Sequence, residues 1–166
     1  MTKSILKAAF AGLVTGFFFL VFIPFLLINS GVDFPEINHP FLQVLGVFFV
    51  FLGVVLFFYC FALFVFWGKG TPAPIEPPQK LVIRSIYRYT RNPMYLGYFG
   101  IVLGEFFFFG NLLLFFYFLF IVLFVNLYLL FIEEPKLRKR FGSEYEDYIK
   151  KVPRWITLRK SFYMSL

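Results

Sequence analysis

The sequence predicts an all-α protein that crosses a membrane with four helices. Of its 166 residues, 60% are hydrophobic, 25% are aromatic and only 15% are charged, which leaves too little polar surface to cover a water-soluble globule. Three of its apolar stretches exceed the roughly 18 residues that a membrane-spanning helix needs. The four stretches are Ala8 to Ile28, Phe41 to Trp67, Met94 to Phe109 and Leu112 to Ile132.

The first stretch resembles a signal peptide only at its start. Lys3 and Lys7 precede it, but Ala8 to Ile28 is longer than the roughly 7 to 15 apolar residues of a signal peptide. We therefore expect a retained first helix. The third stretch, Met94 to Phe109, would extend only about 24 Å as a helix, so we expect it either to start deep in the membrane or to be covered by neighbouring helices.

The distribution of charge predicts the orientation in the membrane. The loop from Asn29 to Pro40 has no lysine or arginine, whereas the segment from Gly68 to Pro93 has five basic residues and one acidic residue. Because positive charge accumulates on the cytoplasmic side, we expect both termini and this segment in the cytoplasm. The net charge of +7 then reflects topology and contact with anionic lipid, and nucleic-acid binding is not expected.

Two cytoplasmic segments should carry amphipathic structure. In the Gly68 to Pro93 segment, the Gly/Pro-rich part should be irregular, and Lys80 to Tyr89 fits a short element lying on the lipid headgroups. Glu134 to Lys151 predicts an amphipathic helix that folds back under the bundle, because its apolar residues recur every three or four positions. These residues are Leu137, Phe141, Tyr145, Tyr148 and Ile149.

Two motifs bracket an apolar hairpin that turns at Gly110-Asn111. The first runs from Arg91 to Gly97 and reads Arg-Asn-Pro-Met-Tyr-Leu-Gly, and the second begins with Glu133-Glu134-Pro135. Helical rise places the two glutamates roughly 10 Å beyond Tyr95, level with the chain just before the first motif. A guanidinium, an amide, a phenol and two carboxylates should therefore meet at one membrane face.

These motifs resemble those of the integral-membrane methyltransferases, which include isoprenylcysteine carboxyl methyltransferases and phosphatidylethanolamine N-methyltransferases. The tail strengthens the resemblance with Phe141-Gly142-x-x-Tyr145-x-x-Tyr148 and Val152-Pro153-Arg154. The resemblance covers about Gly68 to Trp155, and the first two helices match only in character. It implies one methyltransferase domain over residues 1–166 whose cofactor-binding portion is about 68–155.

The resemblance implies S-adenosylmethionine (SAM) as the methyl donor and a lipophilic acceptor, either a lipid or a prenylated or small hydrophobic molecule. Glu133 or Glu134 would receive the amino group or the ribose hydroxyls of SAM. Arg91 is the expected catalytic residue, holding an anionic part of the acceptor. The other residues expected to bind the cofactor are Gly68, Gly70, Asn92, Pro93, Tyr95 and Gly97.

Several of these residues also have purely structural interpretations. Asn92 and Pro93 fit a helix start, with asparagine as the cap and proline in the first turn. Gly68 and Gly70 fit a plain linker, because they lack the strand-turn-helix context and the third glycine of a dinucleotide fingerprint. Glu133-Glu134 fits an acidic end to a helix.

The two branches of the family leave the acceptor open. The isoprenylcysteine branch typically has His-Pro where Asn92-Pro93 stands, and an arginine before its acidic run where Leu130 to Ile132 stands. Asn-Pro-Met-Tyr and Glu-Glu-Pro look closer to the phospholipid N-methyltransferases. Arg91, in contrast, matches an arginine of the carboxyl branch.

Glu105 suggests an alternative function, because it is the only charged residue inside an apolar stretch and intramembrane carboxylates are costly. A small transporter could exchange protons for hydrophobic cations there, and a non-catalytic scaffold is a further alternative. We favour a structural Glu105, bonded to Asn126 or a tyrosine, because it lies about 15 Å from Tyr95 along the helix. The single histidine and single cysteine predict no metal site.

Overall fold

The computed structural model describes residues 2–32, 36–71 and 77–156. Helices are the regular elements within these ranges, and an isolated antiparallel bridge joins Glu36 to Asn111. The first helical run consists of α1 (Thr2–Phe17), a π-helical turn (Phe18–Phe22) and α2 (Ile23–Ile28). The π-helical turn lies directly before Pro24, whose missing N–H interrupts the regular hydrogen-bond pattern.

The second helical run is α3 (Pro40–Leu63), extended by a second π-helical turn (Phe64–Gly68). His39 caps its start, because its Nδ1 accepts a 3.2 Å hydrogen bond from the Phe41 N–H. This contact gives the only histidine of the sequence a structural role. After the run ends, Lys69 adopts a left-handed backbone conformation with a φ of 51°.

The predicted hairpin is confirmed. It consists of α4 (Pro93–Phe109) and α5 (Leu112–Tyr128), joined by Gly110 and Asn111. Gly110 has a φ of 65°, and a Cβ there would lie 2.5 Å from the Ile37 carbonyl oxygen, so only glycine fits this turn. We call this the turn end of the bundle, and the opposite end, where α4 begins at Pro93, the motif end.

Beyond α5 the chain continues helically through a third π-helical turn (Leu129–Glu133) into α6 (Glu134–Phe141), followed by α7 (Ser143–Lys151). The prediction of a single helix over Glu134 to Lys151 is therefore wrong. The helix ends at Gly142, where φ is 54° and ψ is −128°, and a second helix begins after it. Tyr145 and Tyr148 are buried in a small cluster with Val152. The tail thus packs against the protein rather than forming one continuous surface helix.

Glycine pairs bring α3 and α4 into close antiparallel contact. A Cβ on Gly46 would lie 2.6 Å from the Gly104 carbonyl oxygen, and a Cβ on Gly53 would lie 2.6 Å from that of Gly97. The two pairs are seven residues apart on each helix, so they recur on the same face after two turns. Small residues at such contacts let helix backbones approach closely in a membrane.

The opposite side of α4 contacts α5 and the first helical run. The main apolar cluster is built on Val102 of α4 and on buried residues of α5, with Phe19 and Ile23 packed against it. The Tyr117 hydroxyl donates a 2.7 Å hydrogen bond to the Phe19 carbonyl. α4 is therefore the central helix, and its neighbours cover it as its short length predicts.

In the described part of the chain, three helical runs are long and apolar enough to cross a membrane: Phe10–Ile28, Pro40–Gly68 and Leu112–Phe141. Pro93–Phe109 is apolar but shorter, so a fourth span remains a prediction. Large apolar side chains cover the outside of these runs, among them Phe51 and Phe66, which are 63% and 77% exposed. Such a surface is suited to lipid.

The segment that leads to α4 is less regular than predicted. Over Lys80 to Tyr89 the chain forms only one 3₁₀ turn (Ser85–Arg88), and the expected amphipathic element is limited to that turn. Val82 and Tyr87 are buried there against Cys60 of α3. These apolar side chains therefore hold the segment against α3. Residues 72–76, which include Pro72 and Pro74 of the predicted Gly/Pro-rich part, lie outside the described residues.

Candidate functional site

The first motif begins where the chain enters α4 at Pro93. Pro93 occupies the first turn of the helix, as predicted, but the Asn92 side chain makes no capping hydrogen bond. Instead, the Asn92 Nδ2 donates to the carbonyl oxygen of Arg154 at 3.1 Å, and the Thr90 hydroxyl donates to the same oxygen at 3.0 Å. The expectation that Asn92 caps the helix is therefore wrong, because its amide binds the C-terminal tail.

The tail lies across the start of α4 and the end of α5. The Arg91 N–H donates a 3.0 Å hydrogen bond to the Pro153 carbonyl. The Trp155 indole N–H donates to the Asn126 side-chain oxygen at 3.1 Å, and its ring centroid lies 5.4 Å from that of Phe99. The resemblance included Val152-Pro153-Arg154, but nothing in the sequence indicates these contacts.

Glu134 lies between two arginines that are distant in sequence. Its Oε1 is 3.2 Å from Arg91 Nη1 and 2.9 Å from Arg154 Nε, and the side chains of Glu134 and Arg91 are each only 9% exposed. The hydrogen bond that Arg154 donates to Glu134 raises the pKa of Arg154, while burial opposes the rise. One carboxylate thus lies between two guanidinium groups, and these three side chains together carry one positive charge.

Arg91 has donors without a hydrogen-bond partner. Its Nε and Nη1 are buried and have no acceptor in hydrogen-bond geometry among the described residues, although Nη1 is close to Glu134. A buried charged donor without an acceptor is costly. Burial raises the pKa of the neighbouring Tyr145, and the Arg91 charge opposes that rise. Arg91 is therefore a buried cation with capacity for an oxyanion.

Glu133 and Tyr95 form the second contact between the motifs. The Tyr95 hydroxyl donates a 2.6 Å hydrogen bond to the Glu133 Oε2. Glu133 ends the third π-helical turn, a local widening of the helix that often occurs at functional sites. The predicted convergence of the phenol and both carboxylates with Arg91 at one end of the bundle is therefore present in the structure.

The glycines predicted to contact the cofactor have packing partners of their own. A Cβ on Gly68 would lie 3.1 Å from both the Pro78 and Val82 side chains, and the buried Gly70 donates its N–H to the Phe64 carbonyl at 3.4 Å. Gly97 faces Gly53 on α3. Helix packing and loop closure therefore explain why Gly68 and Gly97 are small, and the roles of all three glycines toward a cofactor stay predictions.

Glu105 lies on α4, apart from this cluster. Its Oε2 is buried and has no hydrogen-bond partner among the described residues. Asn126, a predicted partner, instead accepts from Trp155 and donates to the Val122 carbonyl, so that pairing is wrong. Within the described ranges, no group of three or more His, Cys, Asp or Glu side chains is placed to hold a metal ion.

Comparison with known proteins supports one family. No curated protein and no solved structure matches the chain significantly. The family model for phospholipid methyltransferases, however, matches residues 41–144, which is more than half of the chain. The match includes α4, α5 and both motifs. It also includes α3, for which the sequence predicted only a general resemblance as an apolar helix. The chain therefore belongs to the phospholipid methyltransferase family, whose members are membrane methyltransferases.

Proposed function

We propose that this protein transfers the methyl group of SAM to a lipophilic acceptor, with a phospholipid as the favoured class, at the cytoplasmic face of the membrane. The observation that carries the proposal is the convergence of three separate segments at the motif end. These segments supply Arg91 and Tyr95, then Glu133 and Glu134, and finally Arg154. Family membership gives the reaction type, and this cluster is the proposed place for it.

The cluster offers groups that fit SAM. Glu133 is a largely buried carboxylate oriented by Tyr95, so it suits an ammonium group or ribose hydroxyls. The Tyr95 ring can lie against a sulfonium, because aromatic faces attract cations. The first turn of α4, just after Asn92 and Pro93, adds backbone N–H groups and the positive end of the helix dipole.

The proposed role of Glu134 changes once its partners are known. Arg91 and Arg154 both contact the same carboxylate oxygen of Glu134. We therefore propose that Glu134 holds these two arginines in position next to the cofactor. Gly68, Gly70 and Gly97 are proposed to keep the loop and helix close to the cofactor. The packing contacts of Gly68 and Gly97 and the backbone hydrogen bond of Gly70 support that indirect role.

When bound, SAM supplies an electrophilic methyl carbon, to which a lone pair of the acceptor forms a new bond while the carbon–sulfur bond breaks and its electrons remain on sulfur. The protein's part is to position the groups and exclude water. Arg91 is the proposed catalytic residue, because its unpaired N–H groups can hold an oxyanion of the acceptor near the reacting atoms.

Titration of SAM into the detergent-purified protein tests the proposal. We expect saturable binding that Glu133→Gln weakens by about 5- to 150-fold, since a lost buried partner costs roughly 1 to 3 kcal/mol. Lys139→Ala is the control, because Lys139 is an exposed cation in the tail outside the cluster. Absence of SAM binding by wild type would contradict the proposal, and hydrophobic-cation binding that depends on Glu105 would favour the transporter.

A further inference from the structure

A second basic site lies near the motif end, in the segment that leads to α4. An open groove of about 480 Å³ is lined by Tyr59, Ser85, Ile86, Arg88 and Tyr89. The Nε of Arg88 is buried and has no hydrogen-bond partner among the described residues. Arg91, three residues later, contacts Glu134 instead, so the two arginines serve different surfaces.

The groove is lined by groups that suit a phosphate. The hydroxyls of Tyr59 and Ser85 are hydrogen-bonded to each other, and each hydroxyl can also turn toward a ligand oxygen. Ser85 holds this position with a φ of 52°, which few residues other than glycine adopt. No carboxylate lines the groove, so the charge of Arg88 has no counter-ion from its walls.

Aromatic side chains indicate the depth of the groove in a membrane. Tyr59, Trp67 and Tyr89 are 45%, 50% and 43% exposed and surround this side of the motif end. Tyrosine and tryptophan collect at the level of the lipid headgroups. Arg84 adds a cation there, with its guanidinium carbon 3.9 Å from the Trp67 ring centroid. The groove is therefore at the height where lipid phosphates lie.

An exposed apolar strip continues from the groove toward the turn end. The strip starts at Tyr59 and runs back along α3 at spacings of four, three and four residues, through Val55, Leu52 and Phe48. These spacings place all four residues on one face of the helix. Val55, Leu52 and Phe48 are 48%, 45% and 54% exposed. A phosphate held at Arg88 would therefore have an apolar surface directly below it for an acyl chain.

We propose that this groove binds a glycerophospholipid, with its phosphate on Arg88 and an acyl chain along the α3 strip. The site is separate from the proposed SAM cluster and does not depend on methyl transfer. A bound lipid would also fasten the 3₁₀ turn Ser85–Arg88, which directly precedes the first motif.

The test measures binding of dihexanoyl phosphatidylglycerol to the detergent-purified protein in the absence of SAM. We expect wild type to bind it, and Arg88→Gln to lower the affinity about tenfold or more, because a hydrogen bond to a charged group is lost. Arg88→Lys should bind with intermediate affinity, since it keeps the charge but loses the planar fork. Lys139→Gln is the control, because Lys139 is an exposed cation that does not line the groove, and its expected change is less than about threefold.

Two further ligands identify the source of the phosphate. Dihexanoylglycerol has the same chains without a phosphate and should bind at least about tenfold more weakly, and inorganic phosphate has no chains and should also bind more weakly. Equal binding of dihexanoylglycerol, equal binding of inorganic phosphate, or an unchanged affinity in Arg88→Gln would each overturn the proposal. Failure of the proposed function would appear separately, as absence of SAM binding.

Discussion

The Tyr95 hydroxyl and the Glu133 carboxylate are joined by a 2.6 Å hydrogen bond across 38 residues of sequence. This bond connects the first turn of α4 to the end of the π-helical turn that follows α5. It also fixes the orientation of the carboxylate that we propose for the cofactor. The hairpin between the two residues thus brings the two motifs together, and neither motif alone contains both members of this pair.

Replacing Tyr95 with phenylalanine tests the role of this bond. The largely buried Glu133 would lose its donor, which costs roughly 1.5 to 3 kcal/mol for a charged acceptor. If the bond orients Glu133 for the cofactor, SAM affinity should fall about 10- to 150-fold. Tyr98→Phe, on the same helix, should change it less than about twofold. Equal SAM affinities in both variants would show that the Tyr95 hydroxyl serves folding alone.

Glu134→Gln should destabilise the protein, because two arginines share this carboxylate. Removing one partner of a buried ion pair costs roughly 3 to 5 kcal/mol, which would appear as a lower midpoint of thermal unfolding in detergent. Glu146→Gln is the matched control, since its pair with Arg138 is 42% to 47% exposed and should contribute at most about 1 kcal/mol. Similar unfolding midpoints for the two variants would contradict the positioning role of Glu134.

The glycine contact between α3 and α4 predicts a sharp difference between two alanine substitutions. A Cβ at Gly104 would lie 2.7 Å from the Gly46 carbonyl oxygen, whereas the nearest atom to a Cβ at Gly100 is 3.5 Å away. Gly104→Ala should therefore cost roughly 1 to 3 kcal/mol through overpacking, and Gly100→Ala much less. The midpoint of thermal unfolding of each variant tests this difference. Equal midpoints would mean that α3 and α4 can move apart at little cost.

Cysteine labelling in intact cells tests the orientation. The native Cys60 is buried and should not react with a membrane-impermeant maleimide. Asn38→Cys, on the exposed loop at the turn end, should react from outside, whereas Lys139→Cys should react only after the membrane is opened. The reverse pattern would place the motif end outside and remove its access to cytosolic SAM.

The sequence predicted the helices and their meeting point because apolar length and helical rise are local properties. The turn at Gly110-Asn111 and the level of Glu133 and Glu134 relative to the first motif followed from counting residues. The break at Gly142 was missed because the apolar spacing of three and four continues through it, and only the backbone angles at that glycine show that the helix ends.

The contacts of the tail could not be predicted because they use backbone atoms and partners far away in sequence. The Arg154 carbonyl accepts from Thr90 and Asn92, and a carbonyl has no signature in a sequence. The sharing of Glu134 between Arg91 and Arg154 likewise depends on where the tail returns. The glycine spacing of α3 and α4 was a readable signal, but it becomes meaningful only once the two helices are known to be neighbours.

Transfer of radiolabelled methyl groups from SAM into a membrane lipid extract tests the central claim most directly. We predict that wild-type protein labels an organic-phase product, and that Arg91→Ala lowers the rate at least about tenfold, the loss expected for a charged hydrogen bond, while SAM affinity changes less. Lys139→Ala should retain the wild-type rate. Absence of labelled lipid from folded wild-type protein that binds SAM, across extracts containing every major phospholipid class, would contradict the account.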